Sequence, residues 1–110
     1  MKTRIRERSR PRVATGTPVL TVLLLRDNGH YMAKCPELDL VTEADKHEEA
    51  YEAILEMIRE YAEDYSKRKD LFDSSPNRSH HRPYVERVNG CRSEWELREL
   101  LEVRHGHVLV

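Results

Sequence analysis

Apolar and polar positions in the first part of the chain alternate or run together as in short β-strands. Residues 19–25 form a β-branched, apolar run that predicts a strand buried over much of its surface. The Asn-Gly pair at 28–29 favours a two-residue hairpin turn, because both positions of such a turn need positive φ. The returning strand is predicted at 31–35, and Pro36 should end it because proline cannot donate a ladder hydrogen bond. Residues 38–42 are predicted to form a third strand.

The strongest helical signal is a stripe of apolar residues spaced three and four apart. It predicts a helix over about residues 46–69, with Asp45 as the capping residue at its start. The members of the stripe are Ala50, Tyr51, Ile54, Met57, Ile58, Tyr61, Ala62 and Tyr65. A helix with this stripe would lay one apolar face across the predicted sheet.

The C-terminal region is predicted to add shorter elements. Residues 84–88 are compatible with a short strand. Ser93 and Glu96 have the spacing of a capping box, so a second helix should begin there. Gly106 is expected to end that helix, and residues 107–110 are predicted to form a terminal strand.

Together these elements predict an α+β fold of two layers. A three-stranded antiparallel meander is covered by the long helix, and a short helix and a terminal strand follow. The length of 110 residues indicates one domain. We expect residues 1–16 to form a basic flexible arm and residues 17–110 to form the domain, with its core at 19–70, a loop at 71–83 and a C-terminal extension at 84–110.

The order and spacing of several short motifs resemble the HicB-like antitoxins. The hairpin at 20–33 ends in N-G-H-Y-M-A, and C-P-E-L follows at 35–38. V-T-E-A-D at 41–45 then leads into E-E-A at 48–50, like the entry to the helix of that family. Ala44 stands where the family usually has Gly, and Lys46 where it usually has a capping Thr, which should shift capping to Asp45.

The resemblance covers about residues 19–65 and implies both a fold and a function. The fold would be a βββα core like a partial ribonuclease-H-like domain. The function would be that of an antitoxin, or a solitary relative, that binds and neutralises a small basic RNA-cleaving toxin of the HicA kind. Many HicB-like proteins also carry a C-terminal domain that binds the promoter of their own operon.

Charge adds a candidate surface for such a partner. Net charge is only −1, but turning 100° per residue from Ile54 gathers acids on the outward side of the long helix. These candidate partner-binding residues are Glu49, Glu52, Glu56, Glu60 and Glu63. A negative ridge would attract a basic protein and speed encounter, whereas the simpler alternative is an ordinary solvated helix face.

The N-terminal arm is a second charged feature. Its basic residues recur at every second position, so an extended chain would place them on one side. The candidate nucleic-acid-binding residues are Arg4, Arg6, Arg8, Arg10 and Arg12. They favour the alternative of a DNA-binding transcriptional autoregulator, because clustered basic groups release counterions on binding nucleic acid. The other alternative is a disordered solubilising tail.

Catalytic and metal chemistry is weakly supported, and we expect no catalytic residue, no cofactor and no metal. A metal-dependent nuclease would need Asp39, Glu43 and Asp45 to converge, and nothing in the sequence places them together. The zinc-ligand residue types lack regular spacing. They are His80, His81, Cys91, His105 and His107. A nucleophile at Cys35 or Cys91 has no evident orienting partner.

The second helix is expected to serve packing rather than DNA reading. Trp95 should lie in the core or on a self-association surface. The helix region carries four acids against three bases, which argues against insertion into a DNA groove. The acids are Glu94, Glu96, Glu99 and Glu102, and the bases are Arg92, Arg98 and Arg104. Two cysteines without a secretory signal predict a cytoplasmic protein. Exposed sheet edges and the Trp95 helix favour a homodimer or higher oligomer.

No apolar run reaches the length of about 18 residues that crossing a membrane requires.

Overall fold

A computed structural model of the chain describes residues 11–109. The elements occur in this order: β1 (Leu20–Asp27), β2 (His30–Cys35), a first 3-10 turn (Pro36–Leu38), β3 (Leu40–Ala44), α1 (His47–Lys67), α2 (Lys69–Asp73), a second 3-10 turn (Ser79–His81), α3 (Arg82–Asn89), α4 (Glu94–Glu99) and β4 (Leu101–His107).

The strands form one four-stranded sheet with the order β3-β2-β1-β4. The pairs β1–β2 and β2–β3 are antiparallel, while β4 lies parallel to β1 with Leu101 opposite Leu20. The α+β class is therefore confirmed. The predicted three-stranded meander is only part of the sheet, because β4 pairs with β1 on the side opposite β2.

The tight turn between β1 and β2 is the predicted hairpin. Asn28 and Gly29 have φ values of 45° and 89°, as a two-residue turn that follows the strand twist requires. The third strand begins two residues later than expected, since Leu38 lies in the first 3-10 turn. Asp39 closes that turn in the left-handed region, with φ 57°.

Helix α1 lies across the sheet and supplies much of the core. The buried positions of its stripe include Ala50, Ile54, Ile58 and Tyr65, as the periodicity predicted. Leu55 is also fully buried, although it falls outside the predicted stripe. Within residues 11–109, α1 and the other helices all lack the combination of length and apolar composition that crossing a bilayer demands.

The start of α1 differs from the prediction. The capping position is Lys46, in an extended conformation, and no side chain caps the helix there. The Lys46 carbonyl accepts from the Ala50 N–H at 3.0 Å, so the helix begins one residue too late for Asp45 to reach its free N–H groups. Glu48 and Glu49 in the first turn instead complement the positive end of the helix dipole.

Two predictions for the C-terminal region are wrong. Residues 84–88 are not a strand but part of α3, in which Pro83 occupies the first turn and Val85 and Val88 face the core. Gly106 does not end a helix, because α4 stops at Glu99 and the chain turns directly into β4. The terminal strand is therefore at 101–107 rather than 107–110.

Candidate partner-binding site

All five predicted partner-binding acids lie on the exposed side of α1. These residues are Glu49, Glu52, Glu56, Glu60 and Glu63, and we call them the acidic face. The helical twist brings them to one side because the opposite side is buried against the sheet. The five acids therefore share one exposed surface, as the periodicity predicted. Ion pairs with neighbouring Arg and Lys side chains offset part of its negative charge.

The middle of the acidic face is tied to α4 by an ion network. Arg98 of α4 contacts Glu52 at 3.0 Å and Glu94 at 2.8 Å. Arg59 contacts Glu94 at 3.0 Å and also pairs with Glu56 on its own helix. Hydrogen bonds from Arg59 and Arg98 lower the pKa of Glu94, so this carboxylate stays charged between them. The network fastens α4 to α1, and its two guanidinium groups offset the charges of Glu52 and Glu56 at the centre of the face, while Glu94 leaves one net negative charge.

Two ion pairs at spacing i,i+4 lie at the C-terminal end of the face. Lys67 contacts Glu63 at 2.9 Å, and Arg68 holds both carboxylate oxygens of Asp64, at 3.0 and 2.8 Å. Beside them Glu60 borders a shallow cleft of about 290 Å³. Basic side chains are present at this end, but each is already bound to an acid one turn earlier.

Two acids of the face lie outside these ion pairs. Among residues 11–109, Glu49 and Glu60 have no basic group within 4.0 Å, and both are exposed. They lie at opposite ends of the ion-paired centre, eleven positions apart and about 16 Å along the helix axis. A basic partner would meet these two carboxylates without first displacing an internal ion pair.

The N-terminal arm falls largely outside the described residues. The predicted contacts Arg4, Arg6, Arg8 and Arg10 lie there. Arg12 is described and is exposed, in a segment without helix or strand. The bases of the second helix region do not form a free basic surface either, since Arg98 is bound to two acids and Arg104 contacts Glu102 at 3.0 Å.

Strand β4 leaves an open edge beside α1. Its last six residues are exposed, and Val103 retains 37% exposure although it faces the helix side of the sheet next to Val22. A groove of about 380 Å³ runs between this strand and α1, with Tyr51 and Val103 on its walls. Trp95, predicted to be core or a self-association residue, is 69% exposed on α4, so the core alternative is wrong.

A carboxylate completes the hydrogen bonding at the start of β1. Continuing the β1–β2 register would bring Pro36 opposite Thr21, but Pro36 begins the 3-10 turn, where its carbonyl accepts from the Asp39 N–H at 3.2 Å. Glu37 of the 3-10 turn accepts from the Thr21 N–H at 2.9 Å and from the Thr21 hydroxyl at 2.8 Å. Its side chain thus extends the hydrogen bonding of the sheet by one position, a role that no local sequence pattern indicates.

His81 is a buried polar residue in what was predicted to be a loop. Its Nδ1 lies 2.6 Å from the Tyr61 hydroxyl and its Nε2 lies 3.1 Å from a carboxylate oxygen of Asp39. Burial lowers the pKa of His81, although the hydrogen bond to Asp39 acts in the opposite direction. A neutral ring whose Nε2–H donates to Asp39 and whose Nδ1 accepts from Tyr61 satisfies both contacts. The histidine joins the second 3-10 turn to the sheet.

The cysteines do not offer a nucleophile. Cys35 is fully buried, and burial together with the nearby Glu37 carboxylate raises its pKa to about 12. Burial also raises the pKa of Cys91, which is half-buried at the end of α3. Because the thiolate is the reactive form, both thiols are held in their unreactive state at neutral pH.

The metal-type residues named by the sequence are only partly brought together. In the part of the chain that the structure describes, one group of three such side chains converges, Asp39 with His80 and His81. Cys91, His105 and His107 are outside that group, and so are Glu43 and Asp45, the other acids considered for a nuclease. The carboxylate convergence that two-metal catalysis requires is therefore missing from residues 11–109.

Comparison with known proteins identifies the family. A profile of PHD_like, described as "Antitoxin of toxin-antitoxin, RelE / RelB, TA system", matches residues 20–103. The match runs from the first residue of β1 into β4 and covers well over half of the chain. The chain belongs to this antitoxin family.

A solved structure supports the same conclusion. The antitoxin is similar to the crystal structure of "an antitoxin part of a putative toxin/antitoxin system" from Syntrophomonas wolfei subsp. wolfei, with a TM-score of 0.69 and 26% identity over 78% of this chain. The matched region covers 62% of the length of the Syntrophomonas wolfei protein. No curated protein sequence matches the antitoxin.

Proposed function

We propose that this antitoxin is of the HicB-like kind and neutralises a small basic RNA-cleaving toxin of the HicA kind by binding it. The observation that carries the proposal is the acidic face of α1, in which Glu49 and Glu60 are exposed and make no ion pair within residues 11–109. Complementary charge raises the rate of encounter and selects against acidic partners. The family match supports a toxin as the partner, and the motifs from the hairpin to α1 favour the HicB-like type.

The mechanism requires stoichiometric contact and no catalysis. Lys and Arg side chains of an RNA-cleaving toxin bind phosphates, so a surface that occupies them also competes with RNA. Both cysteines of the antitoxin are unpaired thiols, as suits a reducing cytoplasm, and burial keeps them out of chemistry. On this proposal, one antitoxin chain blocks one toxin, and inhibition tracks the molar ratio of the two.

The direct test is purification of the antitoxin with the product of the small reading frame beside its gene. We expect a stable complex, and we expect ribonuclease activity of that product to fall to zero at molar equivalence. The double change Glu49→Lys and Glu60→Lys should slow association strongly at low salt and much less at high salt, because the attraction is screened. The fold of the captured toxin then separates the HicA kind from the RelE kind.

Glu43→Lys is the matched control. Glu43 is an exposed acid on β3, so this variant makes the same charge change as either single variant, Glu49→Lys or Glu60→Lys, but away from α1. It should bind the toxin at the wild-type rate. Recovery of no partner, or equal association rates for the α1 and β3 variants, would contradict the proposed function.

The antitoxin is further proposed to form a homodimer through the β4 edge. The edge carries unpaired backbone groups and invites another strand. An antiparallel pairing of two β4 strands centred on Val103 would place Glu102 of each copy opposite Arg104 of the other, so the charges of the edge complement themselves. Such a pairing would join two four-stranded sheets into one of eight strands.

Light scattering coupled to size exclusion tests the dimer. The wild-type chain should elute as a dimer, and Val103→Lys should give a monomer because a lysine blunts a sheet edge. Val41→Lys on β3, the other edge strand and also exposed, should leave the dimer intact. A monomeric wild-type chain, or disruption by the β3 variant alone, would exclude this interface.

A second function is favoured by the sequence of the N-terminal arm. Its arginines at alternate positions would contact phosphates of the promoter, making the antitoxin a transcriptional autoregulator. A gel shift on the upstream promoter at two salt concentrations, with the full chain and with a chain lacking residues 1–12, tests this. Binding that disappears with the arm supports autoregulation, and salt-insensitive binding by the shortened chain contradicts the role of the arm.

A further inference from the structure

Three metal-ligating side chains meet on one side of the molecule. Asp39, His80 and His81 each present a ligand atom, and these atoms all lie within 4.8 Å of one another. His81 is fully buried, whereas Asp39 and His80 are exposed. The group therefore has one buried ligand, His81, and is open to solvent at Asp39 and His80.

Hydrogen bonds and backbone geometry hold His81 and Asp39 in place. His81 contacts Asp39 through Nε2 at 3.1 Å and Tyr61 through Nδ1 at 2.6 Å, and its ring lies edge-on to the Tyr61 ring. Asp39 is equally constrained, since it closes the first 3-10 turn with a left-handed backbone. Metal-binding histidines usually make such a second hydrogen bond from the ring nitrogen that does not bind the ion, which fixes the ring orientation.

We propose that Asp39, His80 and His81 form a binding site for one divalent transition-metal ion such as Zn²⁺, with water in the fourth position. Two imidazoles and one carboxylate are a ligand set that suits zinc and its neighbours rather than magnesium or calcium. This site is independent of toxin binding, because no residue of the acidic face belongs to it.

The observed spacing is close to what an ion needs. Ligand atoms about 2.0–2.2 Å from a tetrahedral zinc stand roughly 3.4 Å apart. The pair of His81 and Asp39 is already at 3.1 Å. The exposed His80, whose ring centre is 4.3 Å from that of His81, then has only to rotate inward.

Binding leaves the proton balance of the buried ring unchanged. The ion takes the Nε2 lone pair of His81, and the ring proton moves from Nε2 to Nδ1. Tyr61 then accepts from Nδ1–H instead of donating to it, so the same contact serves both states. The ion would bridge the β2–β3 connection and the turn before α3, two segments far apart in sequence.

The test is zinc titration of the tag-free full chain after treatment with a chelator. Calorimetry and elemental analysis should show one Zn²⁺ per chain, and Co²⁺ should give a visible spectrum of tetrahedral type. Excess Mg²⁺ should not compete. His80→Ala changes an exposed side chain and should abolish stoichiometric binding. Asp39→Asn should do the same while keeping the backbone, because asparagine tolerates the left-handed region.

Two further variants distinguish this site from general zinc affinity. Tyr61→Phe should bind about tenfold more weakly, since it loses the contact that orients His81. His30→Ala is the matched control, because His30 is another surface histidine beside carboxylates, at 3.1 Å from Glu43 and 3.9 Å from Asp27. Failure of the wild-type chain to bind Zn²⁺, or wild-type binding by both His80→Ala and Asp39→Asn, would overturn the proposal, as would loss of binding in the control.

Discussion

The carboxylate of Glu37 stabilises the start of the central strand β1, and its removal gives the sharpest test of the fold. In Glu37→Ala both contacts to Thr21 are lost, and the Thr21 N–H is left without a protein acceptor on that side. A hydrogen bond to a charged acceptor contributes about 1.5–3 kcal/mol. Both residues are half-buried, so water replaces part of each bond and the lower end of that range applies.

The expected loss in the free energy of unfolding is about 2–3 kcal/mol for Glu37→Ala, which corresponds to a melting temperature lower by roughly 10 °C for a domain of this size. Urea denaturation followed by circular dichroism measures it. A double-mutant cycle with Thr21→Val isolates the bond between side chains, and the coupling energy should be about 1 kcal/mol.

Glu86→Ala provides the control, since Glu86 is an exposed acid on α3 and should change stability by less than about 0.5 kcal/mol. The reasoning fails if Glu37→Ala lowers the free energy of unfolding no more than this control does and the cycle shows no coupling. Glu37 would then not stabilise β1 as a hydrogen-bond acceptor for Thr21.

Four further outcomes follow from burial and backbone geometry. Leu55→Ala should lower the free energy of unfolding by about 2–5 kcal/mol in urea, because Leu55 is fully buried, and a loss under 1 kcal/mol would contradict its place in the core. Gly29→Ala should cost about 1–2 kcal/mol in the same assay because φ is 89°, and a neutral result would argue against the turn. Iodoacetamide should modify Cys91 well before Cys35 in the native protein, and equal rates would refute the difference in burial. Because the pKa of Cys35 is raised from 9.0 to about 12, the folded state should lose stability as pH rises across that interval, measured by urea midpoints.

Features with strong local signals could be predicted from the sequence. The Asn28-Gly29 turn depends on two residues that tolerate positive φ, and α1 depends on a stripe that only a helix brings to one face. The cap of α4 was also local, and the Ser93 hydroxyl does accept from the Glu96 N–H at 3.1 Å. Such features need no knowledge of the rest of the chain.

The errors occurred where tertiary contacts decide between local alternatives. Val85 and Val88 are three apart, as in a helix, and Pro83 is a known signal of a helix start, but the short apolar run was also compatible with a strand. Gly106 resembled a helix stop, whereas in β4 it faces Leu25, and a side-chain carbon there would come within 3.3 Å of that leucine. Only the pairing of β4 with β1 shows that Gly106 is a strand residue packed against Leu25.

The candidate sites divide in the same way. The acidic face followed from helical periodicity, so its residues were predicted by number. The offset of its charge by Arg59 and Arg98 was not, because Arg98 comes from α4, 46 positions after Glu52. The same holds for His81, whose partner Asp39 is 42 positions away. Long-range side-chain partners leave no periodic mark on a sequence.

The parallel pairing of β4 with β1 makes the first strand depend on the last. A ribosome has to synthesise the chain through residue 107 before both sides of β1 can be occupied. Proteolytic removal of that final segment would uncover a backbone edge in the middle of the sheet, next to the buried Leu20 and Val22. Loss of this one strand would therefore weaken the whole fold, because β1 would keep a hydrogen-bonded neighbour on one side only.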